Sequence, residues 1–465
     1  MPGPPRRCYR LRVGGWLVVL MVVGALQAAC GAIQPPRYVF LLIGDGLGDV
    51  QAEAAESALA CSPGDQLLFQ TFPVRGWQRT RSASDRVTDS PAAATAMACG
   101  VRTDNPKVGL APDGTPLCSI AWRAHRRGRK VGILSDIGID HATPAAFYAR
   151  VEHRKQYAAI AAQMAACPFA FMGGSAMIGL QPETPSDLDP QALAVANGFT
   201  LVTNRAGLAQ IQTGQRIFAH QSPSPRDRRA LPWAIHATSN DLTLAEFASA
   251  AIRHLQDAPF FIMIEGGQID YACHANDLGT MVREVERFND MLRVCLDFAR
   301  QHPDQTLIVV TGDHETGGLK PVWRSKGDPR RVLRQRHPGE WIVARLQPLV
   351  ERQGPFSEAA DELDAALGEL AFTPKQRRQL EVLWRRTLNG RGQPSERALA
   401  FTIEAGRRYV ANAGYRFTTQ VHTRRDVPVY AFGIGADRFS GTYDNTGIFD
   451  RLLNVMHPDV RSSEK

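Results

Sequence analysis

Acidic side chains follow three apolar runs in this chain, which has 465 residues. Asp45 follows YVFLLIG, Glu265 ends PFFIMIE, and the pair Asp313-His314 follows TLIVVTG. Carboxylate oxygens and imidazole nitrogens are the donors that zinc accepts in sites with an open position. If these runs are neighbouring strands, their ends meet and the side chains converge. The pattern then predicts a site for two or three metal ions, and two ions about 4 Å apart could hold the attacking and leaving oxygens of an in-line displacement.

Two further segments carry possible ligands. In EGGQIDYACHAND, His274 follows Asp270 by four residues, which puts both side chains on one face of a helix. Read alone, the segment is equally compatible with a helix start that has an acidic cap and a solvated histidine. His422 in TTQVHT stands alone in its segment, and an isolated histidine is more often an ordinary polar residue. Only convergence in the fold would make these residues ligands.

The stretch VTDSPAAATAMACG places Ser90 immediately before Pro91. Proline favours the first position of a helix, so the pattern predicts Ser90 as the N-cap of the helix that follows. A serine in this place is usually only a cap. The same place puts its hydroxyl at the positive end of a helix, where an alkoxide is favoured, and a divalent metal would lower its pKa further. Beside a multi-metal site, the serine is therefore a candidate nucleophile.

The elements that must position these residues are predicted from their composition. YVFLLIGDG, KVGILSD, FAFMGGS, PFFIMIEGG, TLIVVTGDH and VPVYAFG are apolar, rich in Val, Ile and Phe, and lack polar alternation. Helix-like segments separate them. This pattern predicts an α/β fold, a three-layer sandwich in which helices cover both faces of a largely parallel sheet. Such sheets place their sites at the carboxyl ends of the strands.

Residues 324–419 do not continue this alternation of apolar runs and helix-like segments. We predict a helical insertion there, between a catalytic core over 33–323 and the end of that core over 420–465. The insertion is basic: 324–425 holds 20 Lys and Arg against 11 Asp and Glu, while the whole chain has a formal charge of +8. A solvated helical face explains this surplus better than a nucleic-acid surface, because no nucleic-acid-binding signature is present. We therefore expect no specific nucleic-acid partner. Steering of anionic substrates is a second role that the surplus could serve.

The first 32 residues are typical of an export signal. Four arginines precede the apolar run WLVVLMVVGAL, small residues follow in QAACGA, and the segment holds no acidic residue. Cys30 makes a lipid anchor conceivable, although Gln27 is atypical of lipoprotein signals, and Arg6-Arg7 resembles a weak twin-arginine signal. Each route predicts an exported protein, periplasmic or extracellular, or a lipoprotein attached to a membrane.

Five motifs, in this order, resemble those of the alkaline phosphatase family: VTDSPAAATAMACG, HATPAAFYARVEHR, EGGQIDYACHAND, TGDHETGG and TTQVHT. The resemblance covers about 37 to 450 and thins in 175–240 and 324–410. It implies the α/β sandwich expected above, hydrolysis of phosphate monoesters through a phosphoserine, and a homodimer. Two zinc ions and one magnesium ion are the cofactors that it implies.

The resemblance also implies residue roles. Ser90 is the nucleophile and Arg154 binds two phosphoryl oxygens. Three ligand groups follow: Asp45, Asp313 and His314 hold the zinc that activates Ser90; Asp270, His274 and His422 hold the second zinc; and Asp45, Thr143 and Glu265 hold magnesium. His141, two residues before Thr143, stands where some members have Asp, which predicts a weak magnesium site or one that zinc fills instead.

Two other functions stay open at this point. A phosphodiesterase of the same superfamily is one, although Arg154, Thr143 and Glu265 favour monoesters, since the second ester group of a diester would need their space. A sulfatase is disfavoured because Ser90-Pro91-Ala92 does not match the pattern around a sulfatase nucleophile. A phosphate- or metal-binding surface protein without catalysis is the other function, and it would be recognised by missing ligands, of which the sequence shows none.

Overall fold

Strand β1, Tyr38–Gly44, lies near the middle of the ten-stranded sheet that the described residues form, and it pairs in parallel with Phe260–Gly266 on one side and Thr306–Gly312 on the other. The computed structural model describes residues 34–60, 66–84, 86–180, 189–221, 230–369 and 371–458. From Pro36 onward these residues belong to one compact unit.

The sheet has the order β14-β2-β13-β8-β1-β7-β3-β4-β6-β5. Its strands are β1 (Tyr38–Gly44), β2 (Val74–Arg79), β3 (Lys130–Gly138), β4 (Phe171–Ser175), β5 (Phe199–Val202), β6 (Arg216–Gln221), β7 (Phe260–Gly266), β8 (Thr306–Gly312), β13 (Val427–Gly433) and β14 (Gly441–Asp444). The short strands β9 (Glu315–Thr316), β10 (Lys320–Pro321), β11 (Tyr415–Arg416) and β12 (His422–Thr423) form two small ribbons, β9 with β12 and β10 with β11.

The helices of the described residues are α1 (Asp49–Leu59), α2 (Ser90–Cys99), α3 (Ile120–Arg126), α4 (Ala142–Ala145), α5 (Tyr157–Ala166), α6 (Pro190–Ala196), α7 (Arg205–Ala209), α8 (Leu244–Leu255), α9 (Gln268–His274), α10 (Leu278–Gln301), α11 (Gly339–Glu351), α12 (Phe356–Leu367), α13 (Pro374–Leu388), α14 (Pro394–Asn412) and α15 (Thr446–Met456). Short 3₁₀ turns cover Leu68–Thr71, Ile178–Leu180, Pro329–Arg334 and Ala436–Phe439.

Helices cover both faces of the sheet, because alternate side chains of a strand point in opposite directions. Tyr38, Phe40 and Leu42 of β1 enter one core with α1, α8 and α10, while Val39 and Leu41 enter the other core with α2, α3, α5 and α15. All seven residues of β1 are buried, which explains why the strand reads as one continuous apolar run. The predicted α/β three-layer sandwich is confirmed.

The direction predicted for VPVYAFG is wrong. This segment is β13, and it pairs antiparallel with both β8 and β2, whereas the other neighbouring pairs of the sheet are parallel. The chain reaches β13 from the ribbon β9–β12, which lies beyond the carboxyl end of β8. Because no crossover segment returns the chain to the amino ends of the strands, β13 runs from the level of Thr311 to that of Leu307, opposite to β8. Strands β2, β5, β6 and β14 were not predicted.

The segment predicted as a helical insertion holds α11 to α14. Its two ends are joined by the ribbon of Lys320–Pro321 with Tyr415–Arg416. Buried apolar residues of these helices belong to the same core as the helices on one face of the sheet. The segment is therefore packed onto the sandwich, while the exact domain boundaries stay a prediction.

The predicted export signal, 1–32, and the candidate lipidation site Cys30 lie outside the described residues. Among the helices that the structure describes, none is both long enough and apolar enough to cross a bilayer. Five described cysteines, at positions 99, 118, 167, 273 and 295, are free thiols.

Candidate active site and metal centre

The carboxyl ends of three neighbouring strands bring the first acidic residues together. Gly44 at the end of β1 lies in register with Gly266 of β7 and Gly312 of β8. Asp45, Glu265 and Asp313 therefore meet at one edge of the sheet, and all three are buried. Gly46 turns the chain away with φ +75, a conformation that glycine adopts without strain, and a Cβ there would lie 3.0 Å from the Cα of Asp270.

Ser90 lies at the start of α2, but it is not the N-cap as predicted. Asp89 caps the helix, since its side chain accepts a hydrogen bond from the N–H of Ala92, and Ser90 is the first helical residue. Because Asp89 satisfies the cap, the hydroxyl of Ser90 is left for another contact. Its Oγ lies 3.3 Å from Nε2 of His314, and the residue is 2% exposed.

The three candidate histidine ligands each have their Nδ1 occupied. Nδ1 of His274 lies 2.5 Å from the carbonyl of Gln420, and Nδ1 of His422 lies 2.9 Å from the carbonyl of Thr88. Nδ1 of His314 lies 3.2 Å from the hydroxyl of Thr316. A carbonyl can only accept, so Nδ1 of His274 and His422 carries the proton and Nε2 is left as the free donor atom of each ring.

The free Nε2 atoms face carboxylates. Nε2 of His274 lies 3.2 Å from Oδ2 of Asp270 and 3.2 Å from Nε2 of His422. Nε2 of His314 lies 3.2 Å from Oδ2 of Asp313 and 3.5 Å from Oδ1 of Asp45. The rings of His314 and His422 stack at 3.6 Å between centroids, so the two donor groups are adjacent.

Among the described residues, potential ligand atoms within 4.8 Å of one another form three groups: Asp45 with Asp313 and His314; Asp270 with His314 and His422; and Asp45 with His141 and Glu265. The first group is the set predicted for the zinc at Ser90. The second contains His314 where the prediction has His274, although His274 also lies 3.2 Å from Asp270. The third contains His141 beside the predicted pair Asp45 and Glu265.

The carboxylates of these groups repel one another. Burial, followed by the charges of Asp313 and Asp270, raises the pKa of Asp45 well above its usual range. Burial and the charge of Asp270 raise the pKa of Asp313 to about 7. Burial, with the charge of Asp136, also raises the pKa of Glu265, to about 8, although the hydrogen bond from Ser135 and the nearby hydroxyl of Thr143 oppose the shift. Several acids that would repel one another when ionised surround the same small volume.

A cation would relieve this repulsion. Both Oδ atoms of Asp45, Oδ2 of Asp313, Oε1 of Glu265 and Oγ1 of Thr143 are buried without a hydrogen-bond partner among the described residues. Buried polar atoms are normally satisfied, so these atoms fit ligands of a metal. The two groups that contain Asp and His match the N/O donors of zinc. The third mixes a histidine with oxygen donors and is less suited to magnesium, which prefers oxygen.

Arg154 lies at the same edge. Its Nη2 is 2.6 Å from Nε2 of His141, and its charge lowers the pKa of Asp45 and Asp89 against the larger effect of their burial. The edge of His141 faces the ring of Tyr271, at 6.0 Å between centroids. Every residue predicted for the site is thus brought to one edge of the sheet, where the carboxylates are buried and a guanidinium group lies at their side.

Three residues that support the ligands were not predicted. The hydroxyl of Thr316 donates to Oδ1 of Asp270 at 2.6 Å, the carbonyl of Thr88 orients His422, and the amide of Asn276 joins the segments that carry His274 and His422. Thr316, Thr88 and Asn276 stand inside the motifs TGDHETGG, VTDSPAAATAMACG and EGGQIDYACHAND. Their place in these motifs was the available signal, but their partners are remote in sequence.

The family model described as alkaline phosphatase matches residues 36–171 and 195–457. The second matched range includes the helical segment 324–419. Alkaline phosphatase 3 of Bacillus subtilis is 26% identical over 454 residues, which cover 92% of this chain and 91% of the relative.

Solved structures agree with the match. The cold-active alkaline phosphatase from a psychrophilic Shewanella superposes with a TM-score of 0.75 at 27% identity, covering 90% of this chain and 99% of that one. The alkaline phosphatase of the Antarctic bacterium TAB5 superposes with a TM-score of 0.66 at 25% identity, covering 91% and 99%. Two variants of the TAB5 protein, with a histidine replaced by glutamate or aspartate, are described as having Mg bound in the M3 site.

Proposed function

The chain belongs to the alkaline phosphatase family, whose members hydrolyse phosphate monoesters, and we propose that it does so through a phosphoserine formed at Ser90, with two zinc ions and a weakly held third metal. One observation carries the proposal: Oγ of Ser90 lies 3.3 Å from Nε2 of His314, the atom that also faces Asp45 and Asp313. The candidate nucleophile therefore lies beside a member of one complete donor group, which consists of Asp45, Asp313 and His314.

Ser90 is prepared for attack by its place in the fold. The first turn of α2 leaves backbone N–H groups directed at its amino end, and the helix dipole favours negative charge there. Zinc held by Asp45, Asp313 and His314 would supply positive charge that lowers the pKa of the hydroxyl. The contact of its hydroxyl oxygen with His314 makes Ser90 the candidate nucleophile of the first displacement.

The reaction has two displacements. In the first, Oγ of Ser90 forms a bond to phosphorus while the bond to the alcohol oxygen breaks, and the alcohol leaves. In the second, water attacks the phosphoserine and releases inorganic phosphate, which restores Ser90. The planar guanidinium group of Arg154 can bind two phosphoryl oxygens in both steps, and a third non-bridging oxygen remains for the cations that the donor groups would hold.

His141 is the residue that sets the third metal site. Its ring faces the guanidinium group of Arg154 and is grouped with Asp45 and Glu265. A ring nitrogen attracts a hard cation less than a carboxylate does, so we infer magnesium binding only at millimolar concentration, or zinc in its place. The TAB5 variants, in which a histidine was replaced by an acid and Mg is described in the M3 site, support this view.

Export and assembly are further parts of the proposal. The signal pattern in 1–32 supports transport out of the cytoplasm, to the periplasm or the medium. Cys30 is the residue that would carry a lipid anchor. The family resemblance supports a homodimer.

One assay tests the function. A chromogenic phosphate monoester, its matching diester and a sulfate monoester are compared before and after removal of metal with a chelator. We expect rapid monoester cleavage that is lost with chelator and restored by zinc. Equal cleavage of the diester would favour the phosphodiesterase alternative. No cleavage of any ester by zinc-loaded protein would favour the surface-protein alternative.

A further inference from the structure

We propose that Asn276 is a positioning residue that fixes the distance between His274 and His422 and thereby the metal affinity of the group that they form with Asp270. This inference rests on the proposed function in one respect, because it takes these three residues as metal ligands. It adds a residue that the five motifs and the donor groups do not include among the ligands.

His274 needs support from outside its own helix. It is the last residue of α9, which has only seven residues, and its side chain is 37% exposed. The side chain of Asp270 is only 6% exposed and that of His314 is fully buried, so packing holds these two ligands in place. Packing therefore restrains the ring of His274 less than it restrains these two ligands.

The segment that precedes His422 also needs support from outside itself. His422 lies on the two-residue strand β12, and the preceding Val421 is 61% exposed. The segment 417–421 leads into this strand, and its residues Thr418, Gln420 and Val421 are exposed. Its contacts with Gly317, the residue that follows β9, hold one side, since the N–H groups of Thr418 and Thr419 donate to the carbonyl of Gly317. The side that faces α9 must be held by another group.

Asn276 is that group. Its side-chain Nδ2 donates to the carbonyl of Cys273 at 3.1 Å and to the carbonyl of Thr419 at 2.8 Å. Cys273 directly precedes His274, and Thr419 stands three residues before His422. A single amide group therefore ties together two chain segments that carry one metal ligand each.

The local backbone is shaped for this contact. Asn276 is 1% exposed and has φ +55, the left-handed conformation that Asn adopts more readily than most residues. Its Oδ1 has no hydrogen-bond partner among the described residues, so only the donor end of the amide is used. A carboxylate in this place would turn an acceptor oxygen toward two carbonyl oxygens.

The contact made by Asn276 reaches the ring of His274 through Gln420. Nδ1 of His274 contacts the carbonyl of Gln420 at 2.5 Å, one residue beyond Thr419, and Nε2 of Gln420 donates back to the carbonyl of His274. Movement of Thr419 away from α9 would carry Gln420 with it and rotate the ring of His274. Zinc requires its nitrogen ligands at about 2.0–2.1 Å, so small shifts of either ring weaken binding.

The test compares Asn276→Asp and Asn276→Gly with the wild type. Aspartate keeps the size but loses the donor, and glycine keeps the left-handed backbone but loses the amide. Thr280→Val is the matched control, because Thr280 is equally buried, lies four residues away and hydrogen-bonds to Asp277 and not to segment 417–421. His274→Ala marks which zinc belongs to this group.

Zinc affinity is measured by competition with a chromogenic chelator, and Co²⁺ substitution reports the coordination geometry. We expect both Asn276 variants to bind one zinc about 10- to 100-fold more weakly, as is typical when a group that supports a ligand is lost, and to bind the other zinc as the wild type does. The weakened zinc should be the one that His274→Ala loses. Thr280→Val should retain both affinities, and thermal unfolding of metal-free protein checks that each variant folds.

Wild-type affinity for both zinc ions in Asn276→Asp and Asn276→Gly would overturn the positioning role. Equal weakening of both ions, or the same weakening in Thr280→Val, would also overturn it, since either result indicates general loss of stability. A wild-type protein that binds no zinc would instead overturn the proposed function, and the two failures are therefore distinguishable.

Discussion

Replacement of Arg154 by serine gives the sharpest test of how the site recognises its substrate. Its guanidinium group is partly buried and lies 2.6 Å from His141, and its charge acts on Asp45 and Asp89. A phosphate monoester dianion entering this edge would meet the guanidinium group on one side and, on the other, the cations that the donor groups would hold. The serine variant removes the charge and the planar pair of donors together.

The expected loss follows from the strength of such pairs. A hydrogen bond to a charged group contributes roughly 1.5–3 kcal/mol, and bidentate Arg–phosphate pairs are at the strong end. Partial exposure of Arg154 to solvent argues against a larger value. We expect Arg154→Ser to lose about 2–3 kcal/mol of transition-state stabilisation, which is roughly a 30- to 150-fold fall in kcat/KM for the monoester.

The assay measures kcat/KM for a monoester and its matching diester in the wild type, Arg154→Lys and Arg154→Ser at fixed metal concentration. The diester has one oxygen fewer for the guanidinium group, so its rate should fall less and the monoester preference should narrow. Lysine retains the charge without the planar fork, and its loss should be intermediate. Metal content is determined for each variant because Arg154 contacts His141.

An unchanged monoester-to-diester ratio in Arg154→Ser would refute the reasoning. A wild type that cleaves both esters equally fast would refute it as well. A loss that disappears when metal occupancy is restored would show that the arginine acts on His141 and not on the substrate.

Three further predictions address the nucleophile, the protons and the third metal. Ser90→Ala should form no phosphoenzyme and lose several orders of magnitude in rate, as quench-flow with labelled ester would show; near-normal turnover with metals bound would contradict the nucleophile assignment. Zinc binding should release protons near pH 7 and weaken on acidification, because its ligands must lose their protons. Burial lowers the pKa of His274, but the hydrogen bond to Asp270 and the charge of that carboxylate outweigh it and raise the pKa. Burial raises the pKa of Asp313 to about 7. Calorimetry in two buffers of different ionisation enthalpy measures the release, and a buffer-independent heat is the opposing result. His141→Asp should bind magnesium at least tenfold more tightly after dialysis, and tight stoichiometric magnesium in the wild type would argue against a weak third site.

Local patterns predicted much of the fold because they depend on short-range chemistry. Continuous apolar runs such as YVFLLIG identify strands buried on both faces, and the acidic residues that end them were expected to converge, which they do. Ser90 was misassigned as the cap because Pro91 suits the first helical position, yet Asp89 caps the helix and proline takes the second position. Two residues with cap-forming side chains stood side by side, and the sequence does not decide between them.

The direction of β13 and the residues that support the ligands depend on distant contacts. Apolar composition identifies β13 as a buried strand, but its direction follows from where the chain re-enters the sheet. Thr316 contacts Asp270 across 46 residues, Asn276 contacts Thr419 across 143, and Thr88 contacts His422 across 334. No local pattern encodes such pairs.

The sequence by itself thus determined which residue types are available as nucleophile and ligands, which strands deliver them, and which family they resemble. The tertiary structure alone decided which ring nitrogen of His274 and His422 is left to face a metal, which carboxylates share one buried volume, and which hydroxyl lies beside them. The physical reason is that the side chain itself fixes whether a residue can serve as a metal ligand or as a nucleophile. Ring orientation, burial and the repulsion between carboxylates depend on which chain segments lie side by side, and only the packing of the sheet and helices sets this.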